Sequence, residues 1–389
     1  MAQKNYTSKI KRNSEKIILN PVFGSRFFSK KLNLFSVTFF IAILKSGIWV
    51  FPAIYASFVI SQQPFEQPFS NIEDQYLMTT WFASYFAYIL GIKTLASFII
   101  LHFCFAVFSI IFLYRYVTKF VDKEIQGKSL LLFAILPALS TIFYWVGMDS
   151  FTFLLMTVYL NLRLKPQFAL LVGIIGGLHH FEIIFVSAVS LFVYELVRGK
   201  DFRKSKLFLS SVTLLAGVLV GKVLLTIVFE LNQVAVSKNR VSIGINGLKT
   251  NLELFEKFGF LIYYSMLGSI WIILAIAAFK RNRESAALLL AIFVPVIVVF
   301  FVRDSSRVIQ LTSFLPVAIG LLSNKEVLGT ISNKTIKIVF LIWLIIPWVW
   351  IWQRSFGSVT IYTLKYLHSR VFNSDLAPWL DNISMWPFS

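Results

Sequence analysis

Four short polar strings interrupt an otherwise apolar chain: Glu73 and Asp74 in SNIEDQY, Asp149 in GMDS, His179, His180 and Glu182 in GLHHFE, and Arg303, Asp304 and Arg307 in RDSSR. Each holds groups able to move protons or bind anions. A carboxylate such as Glu73 or Asp74 can take the proton of an attacking hydroxyl, and a second carboxylate beside it raises its pKa toward a useful value. Adjacent residues need not face the same way, so one of the two is expected to be the base. The competing reading is that both cap a helix and favour its dipole. Arg303 and Arg307 are four apart and share a face if one helix includes both, where like charges repel unless an anion lies between them. Phosphate is the anion that guanidinium forks match, and the arginines stay charged beside lipid. Against this stands a pair of snorkelling side chains with Asp304 as a local salt-bridge partner.

His179 and Glu182 are three apart, hence on one face if helical, with His180 beside them. A hydrogen-bonding, proton-handling cluster is the expected role, and a divalent metal with Asp149 or Asp304 as distant ligand is the alternative. Asp149 either supports this cluster or caps the next short helix. No cofactor is required by the sequence, and there is no Walker sequence, Rossmann fingerprint or nucleophile elbow. The lone Cys104 excludes an internal disulfide and a cysteine metal cluster.

The elements that position these groups follow from hydropathy. With 57% hydrophobic and 14% charged residues over 389 positions and a mean hydropathy of +0.76, the chain is too apolar for an ordinary soluble enzyme. An all-α, polytopic transmembrane bundle of about eleven spans, ten to twelve in range, is expected. The spans fall at 33–60, 94–115, 129–147, 150–162, 167–178, 181–197, 207–231, 258–279, 285–302, 308–323 and 338–353. Residues 75–92, carrying Tyr76, Trp81, Tyr85 and Tyr88, are expected to form a surface helix on the outer face. Three regions result: a basic cytoplasmic tail at 1–32, the bundle at 33–353, and an outer tail at 354–389.

Charge sets the direction. Of 37 basic residues, 25 fall in segments predicted to be cytoplasmic and nine in outer ones, which places the N terminus in the cytoplasm and the C terminus outside. The formal charge of +19 is therefore attributed to membrane topology, with lipids and not nucleic acid as the partner of the basic tail. All four polar strings then lie at outer ends of spans, and ionisable groups near hydrocarbon are usually paired or functional. Lys45 and Lys222 lie within spans, where they either pair with carboxylates or snorkel. The basic segment 232–257 is expected to be a flexible outer loop able to cover a substrate.

The spans 150–162, 167–178 and 308–323 are shorter than the roughly 20 residues of a perpendicular crossing. Short helices are stable beside other protein and bring connecting segments below the membrane surface, so an outward-facing cavity is expected there.

This layout, with its first-loop IEDQY carboxylates, following surface helix, short central spans and outer DSSR-type arginine motif, resembles the GT-C integral membrane glycosyltransferases from about residue 33 to 323. The resemblance implies a polyprenyl-phosphate sugar donor and a glycan or lipid acceptor. It matches Asp74 or Glu73 to the carboxylate near the acceptor, and Arg303 and Arg307 to the donor phosphate. It assigns no role to GMDS or GLHHFE. The expected location is the bacterial inner membrane, and removing both arginines is expected to abolish transfer with folding intact. A polysaccharide polymerase or ligase using similar lipids is an alternative, and a lipid-linked glycan transporter or flippase is a second.

Overall fold

The computed structural model describes residues 31–51, 53–70, 75–199, 205–235, 240–279, 283–302, 304–346, 348–352 and 355–358. It is a helical bundle. Helices Leu95–Phe120, Lys206–Leu231, Phe255–Phe279 and Ser305–Leu322 are long and apolar enough to cross a membrane, and Pro166–Arg198 is so by total length and composition although it is broken at His180, as in a multi-pass integral membrane protein. A sixth span is available if Gln126–Ala134 and Pro137–Tyr144, bent by 41° at their junction, count as one.

The first expected span is two helices. α1 (Lys31–Ser46) ends at Gly47, whose φ of 78° suits a residue without a Cβ, and α2 (Ile54–Gln62) resumes after an extended stretch. Trp49 N and Phe51 N donate to Phe143 O (3.1 Å) and Val146 O (3.0 Å), and Val146 N donates to Trp49 O (2.9 Å). These bonds satisfy backbone groups that no helix pairs there. The segment 75–92 is a 3₁₀ turn, Gln75–Thr80, followed by α3 (Trp81–Ile89). Trp81 is not at the surface of this segment: it is buried, and its indole donates to Pro64 O at 2.6 Å, while Tyr88, Ile89 and Leu90 are exposed. The turn that follows α2 thus satisfies the indole that headgroups were expected to hold.

α4 (Leu95–Phe120), α5 (Gln126–Ala134), α6 (Pro137–Tyr144) and α7 (Met148–Leu162) lead to α8 (Pro166–Arg198), which contains one non-helical residue, His180, at φ −139° and ψ 73°. The chain folds back there. Gly173 lies against Gly217, and Gly177 against Gly221, whereas Phe192 meets Phe208 at 5.5 Å between ring centroids. Both partners belong to α9 (Lys206–Leu231). The glycine pairs advance together along α8 and α9, but the phenylalanine pair has moved the other way, and one straight helix cannot do both. A Cβ on Gly176 would come within 2.9 Å of Ile184 Cγ2, as two antiparallel arms require. The expected spans 167–178 and 181–197 are these arms, about 21 and 27 Å long.

Small residues make this packing close. A Cβ on Gly173, Gly177, Gly217 or Gly221 would run into a backbone carbonyl of the facing helix. Both helices thus carry glycines four apart at their contact, the arrangement that lets membrane helices approach.

α10 (Arg240–Leu267) replaces the loop expected at 232–257. Tertiary contacts override its three glycines: Asn251 Nδ2 donates to Phe300 O at 3.1 Å, and Phe255 packs on Phe300. A short turn leads to α11 (Trp271–Phe279), followed by α12 (Arg283–Val299) and α13 (Ser305–Pro316), the last continued by a π-helical turn, Val317–Leu322. α13 is almost wholly enclosed. After α14 (Lys325–Leu328) and α15 (Asn333–Ile345), the span expected at 338–353 is cut short. Proline at 347 disfavours helix at its predecessor, and Ile346 is extended at φ −77° and ψ 128°. The antiparallel strands β1 (Val349–Trp352) and β2 (Ser355–Ser358) follow. Lys45, at the last turn of α1, lays its ammonium on the carbonyls that end α15, including Ile346 O at 2.5 Å, and 4.7 Å from the Trp343 ring centroid. A cation at a helix C terminus is favourable, so Lys45 is paired with backbone and aromatic ring.

Candidate functional site

The first turns of α7 and α13 meet. Gly147 stands at the N-cap of α7, where a Cβ would press to 2.9 Å of Phe51 Cβ. The absence of that Cβ lets the extended 47–51 stretch approach, and Asp149 on the next turn points at α13. Arg307 Nη1 reaches Asp149 Oδ2 at 3.0 Å, and Arg307 Nε reaches Asp304 Oδ2 at 2.7 Å. The guanidinium carbon also lies 5.1 Å from the Phe51 ring centroid. Asp149 is 2% exposed. One arginine between two carboxylates leaves the trio formally one charge negative when all are ionised. Burial pushes the Asp304 carboxyl above the ordinary carboxylate range; Arg307 opposes that and Asp149 adds to it.

Helix α13 begins at Ser305 with Asp304 at its N-cap. Arg303 itself lies outside the described residues, as do Glu73 and Asp74.

The break at His180 also corrects the expected pairing of His179 with Glu182, because the i,i+3 register holds only along a continuous helix. His179 turns into the bundle, where its Nε2–H donates to Met148 O at 3.0 Å and its ring meets Phe151 at 4.8 Å. His102 is buried nearby between Phe98 and Phe105. His180 and Glu182 instead face a cavity of about 940 Å³. Its walls come from the second arm of α8, the last turns of α9, the end of α12 and the start of α13, with Thr79 at one edge. Arg307 reaches this cavity from the carboxylate trio, and Lys222 and Glu230 reach it from α9. Aromatic and aliphatic side chains such as Phe185, Phe229, Val298 and Phe301 supply the rest of the wall. Such a space suits an amphiphile, with apolar wall for a chain and a few ionisable groups for a polar head.

Of the residues singled out in the sequence, Asp149, Asp304 and Arg307 are brought together, His180 and Glu182 join Arg307 around the cavity, and His179 supports the wall. Phe51 and Glu230 were missed. Phe51 reads as the middle of a long apolar span, and only the break at Gly47 turns it toward Arg307; Glu230 reads as the polar end of a helix. Lys222 was legible as a cation within a span, without a destination. Among the described residues, no group of three His, Cys, Asp or Glu is placed to hold a metal ion. No protein-family model, curated protein or solved structure matches the chain.

Proposed function

We propose that the chain is a membrane glycosyltransferase of the GT-C kind, moving a sugar from a polyprenyl-phosphate-linked donor to a hydroxyl of a glycan or lipid on the outer face of the bacterial inner membrane. The observation that supports this is the cavity of about 940 Å³ whose apolar walls carry Arg307, Lys222, His180 and Glu182. A lipid-phosphate donor has the same division into long apolar chain and charged head. In this reading the N terminus is cytoplasmic, about eleven segments cross or enter the membrane, and the two short arms of α8 count as two of them.

The acceptor hydroxyl oxygen attacks the anomeric carbon from the side opposite the phosphate. Its proton passes to Asp74 or Glu73, the bond from anomeric carbon to phosphate oxygen breaks, and the lipid phosphate leaves with the electron pair, inverting the configuration. A cation near the leaving phosphate stabilises the charge that develops there. Asp149 and Asp304 hold Arg307 in place, and His179 fixes the start of α7 through Met148 O.

The test is a mass-spectrometric inventory of lipid-linked and surface glycans after gene deletion, with complementation by wild type or Asp74→Asn and Glu73→Gln. A glycan short of one sugar, restored by wild type and lost again in one variant, is the expected result. Loss of long chains with intact single units points to a polymerase or ligase, and an unchanged inventory overturns the enzyme reading. One observation favours a lipid-linked glycan transporter: the α5–α6 break and the turn at His180 interrupt helices inside the bundle, as transporter sites often do. Substrate counterflow in proteoliposomes without chemical conversion supports that alternative.

A further inference from the structure

Lys222 lies nine residues before the end of α9 and sixteen after its start, about 14 and 24 Å along the axis. A four-carbon stem is too short to carry its ammonium past either end. The side chain lines the cavity, and its ammonium is 5.6 Å from the Phe181 ring centroid. Among the described residues it forms no ion pair, although Glu182 and Glu230 line the same cavity. Lys222 is half-buried, and an aromatic face compensates an ammonium set among apolar side chains only in part.

Arg307 differs in kind. Its Nη1 faces Asp149 and its Nε faces Asp304, so an anion arriving there must displace one of two carboxyl groups from the guanidinium or crowd against both. At Lys222 an anion meets an ammonium with no carboxylate in ion-pair range.

We propose that Lys222, and not Arg307, is the cation that contacts the phosphate group of an amphiphile held in this cavity. Arg307 is then a positioning residue that fixes Asp149 and Asp304 at the cavity edge. This assignment rests on reading the cavity as a lipid-phosphate site, and it moves the headgroup from the start of α13 to the wall of α9. A phosphate monoester is the shared chemistry; a lipid headgroup and free phosphate are its two sources.

The full chain in lipid nanodiscs is titrated with geranylgeranyl phosphate, with geranylgeraniol, which has the same tail and no phosphate, and with inorganic phosphate. Binding is read by native mass spectrometry and by the shift in thermal unfolding. Wild type is expected to bind geranylgeranyl phosphate, Lys222→Gln to lose about tenfold or more in affinity, and Lys222→Arg to stay within about threefold of wild type. Binding of geranylgeraniol is expected to be the same in all three. Removing a lone charge from an apolar helix does not threaten folding, and the arginine variant keeps the charge.

Unchanged geranylgeranyl phosphate binding by Lys222→Gln overturns the assignment and leaves the lipid-phosphate reading standing. Failure of wild type to bind geranylgeranyl phosphate overturns both. Lys222-dependent binding of inorganic phosphate as tight as that of the lipid upholds the phosphate contact and overturns the lipid as its source.

Discussion

Two ion clusters lie near opposite ends of the second arm of α8, and they are built differently. At the far end from the cavity, Glu284 accepts from Arg198 Nε on one oxygen (2.6 Å) and from Tyr194 Oη (2.7 Å) and Asn324 Nδ2 (2.9 Å) on the other. Arg283 donates to Val197 O and Gly199 O, both at 2.7 Å. These contacts tie one helix end to another, and both Glu284 carboxylate oxygens are used, while Glu195 stands 3.6 Å from Arg198 on the same helix. At the cavity end, Arg307 bridges Asp149 and Asp304, yet Oδ1 of each aspartate makes no hydrogen bond among the described residues. A closed network holds helices together, whereas a cluster with acceptors to spare beside a cavity keeps capacity for a ligand. Helix α12 links the two, with Glu284 in its first turn and Val298 near its last on the cavity wall.

The sharpest way to break this contrast is Arg307→Ala. It leaves Asp149 buried without its counter-charge, which is expected to cost about 3–5 kcal/mol of stability and to abolish transfer. Folding is thus not expected to survive untouched, contrary to what the arginine pair alone implied. Adding Asp149→Asn should return much of the thermal stability in detergent but none of the activity; recovery of transfer in that double variant would sink the contrast. Glu284→Ala comes next, with an expected loss of about 2–4 kcal/mol, moderated because Arg198 is partly solvated. Turnover per folded molecule should stay at the wild-type value, and a selective fall in turnover would erase the distinction between the two ends.

The smallest effect belongs to a third, exposed group, where Lys325 bridges Asp122 (3.1 Å) and Glu124 (3.0 Å). The backbone N–H of Glu124 and then Lys325 hold the Asp122 carboxyl below its ordinary value. A depressed carboxylate contributes stability that is present above its unfolded pKa and lost as pH falls through the folded one. Thermal midpoints of wild type and Asp122→Asn should therefore differ slightly at neutral pH and converge between about pH 5 and pH 3. High salt should close the gap as well. A large gap that persists in salt would place this surface pair among the structural clusters.

Much of the bundle was legible in hydropathy. Helices at 95–120, 206–231 and 305–322, and the turn between two short helices at GLHHFE, lie close to where apolar runs and polar strings place them. Elements that depend on distant contacts were not. The 47–51 stretch leaves the helix to pair its backbone with residues near 145, α3 buries Trp81 instead of presenting it to headgroups, and residues from 240 onward are helical because Asn251 and Phe255 find Phe300. In each case the segment is apolar or amphipathic enough for several conformations, and a partner far along the chain selects one.

The sequence by itself determined that this chain is a helical membrane protein, because burial of apolar side chains in lipid is additive along a segment and needs no knowledge of neighbours. It also placed Asp149 and Asp304 at the starts of helices. The tertiary structure decided which ionisable residues meet. Asp149 and Arg307 are 158 positions apart, and their pairing depends on Gly147 admitting Phe51, on the glycine contacts of α8 and α9, and on the reversal at His180. Lys222 in turn becomes a cavity residue only because α9 packs against the folded-back arm. Charge pairing and cavity shape depend on distances between helices, and those are set by packing and not by local composition.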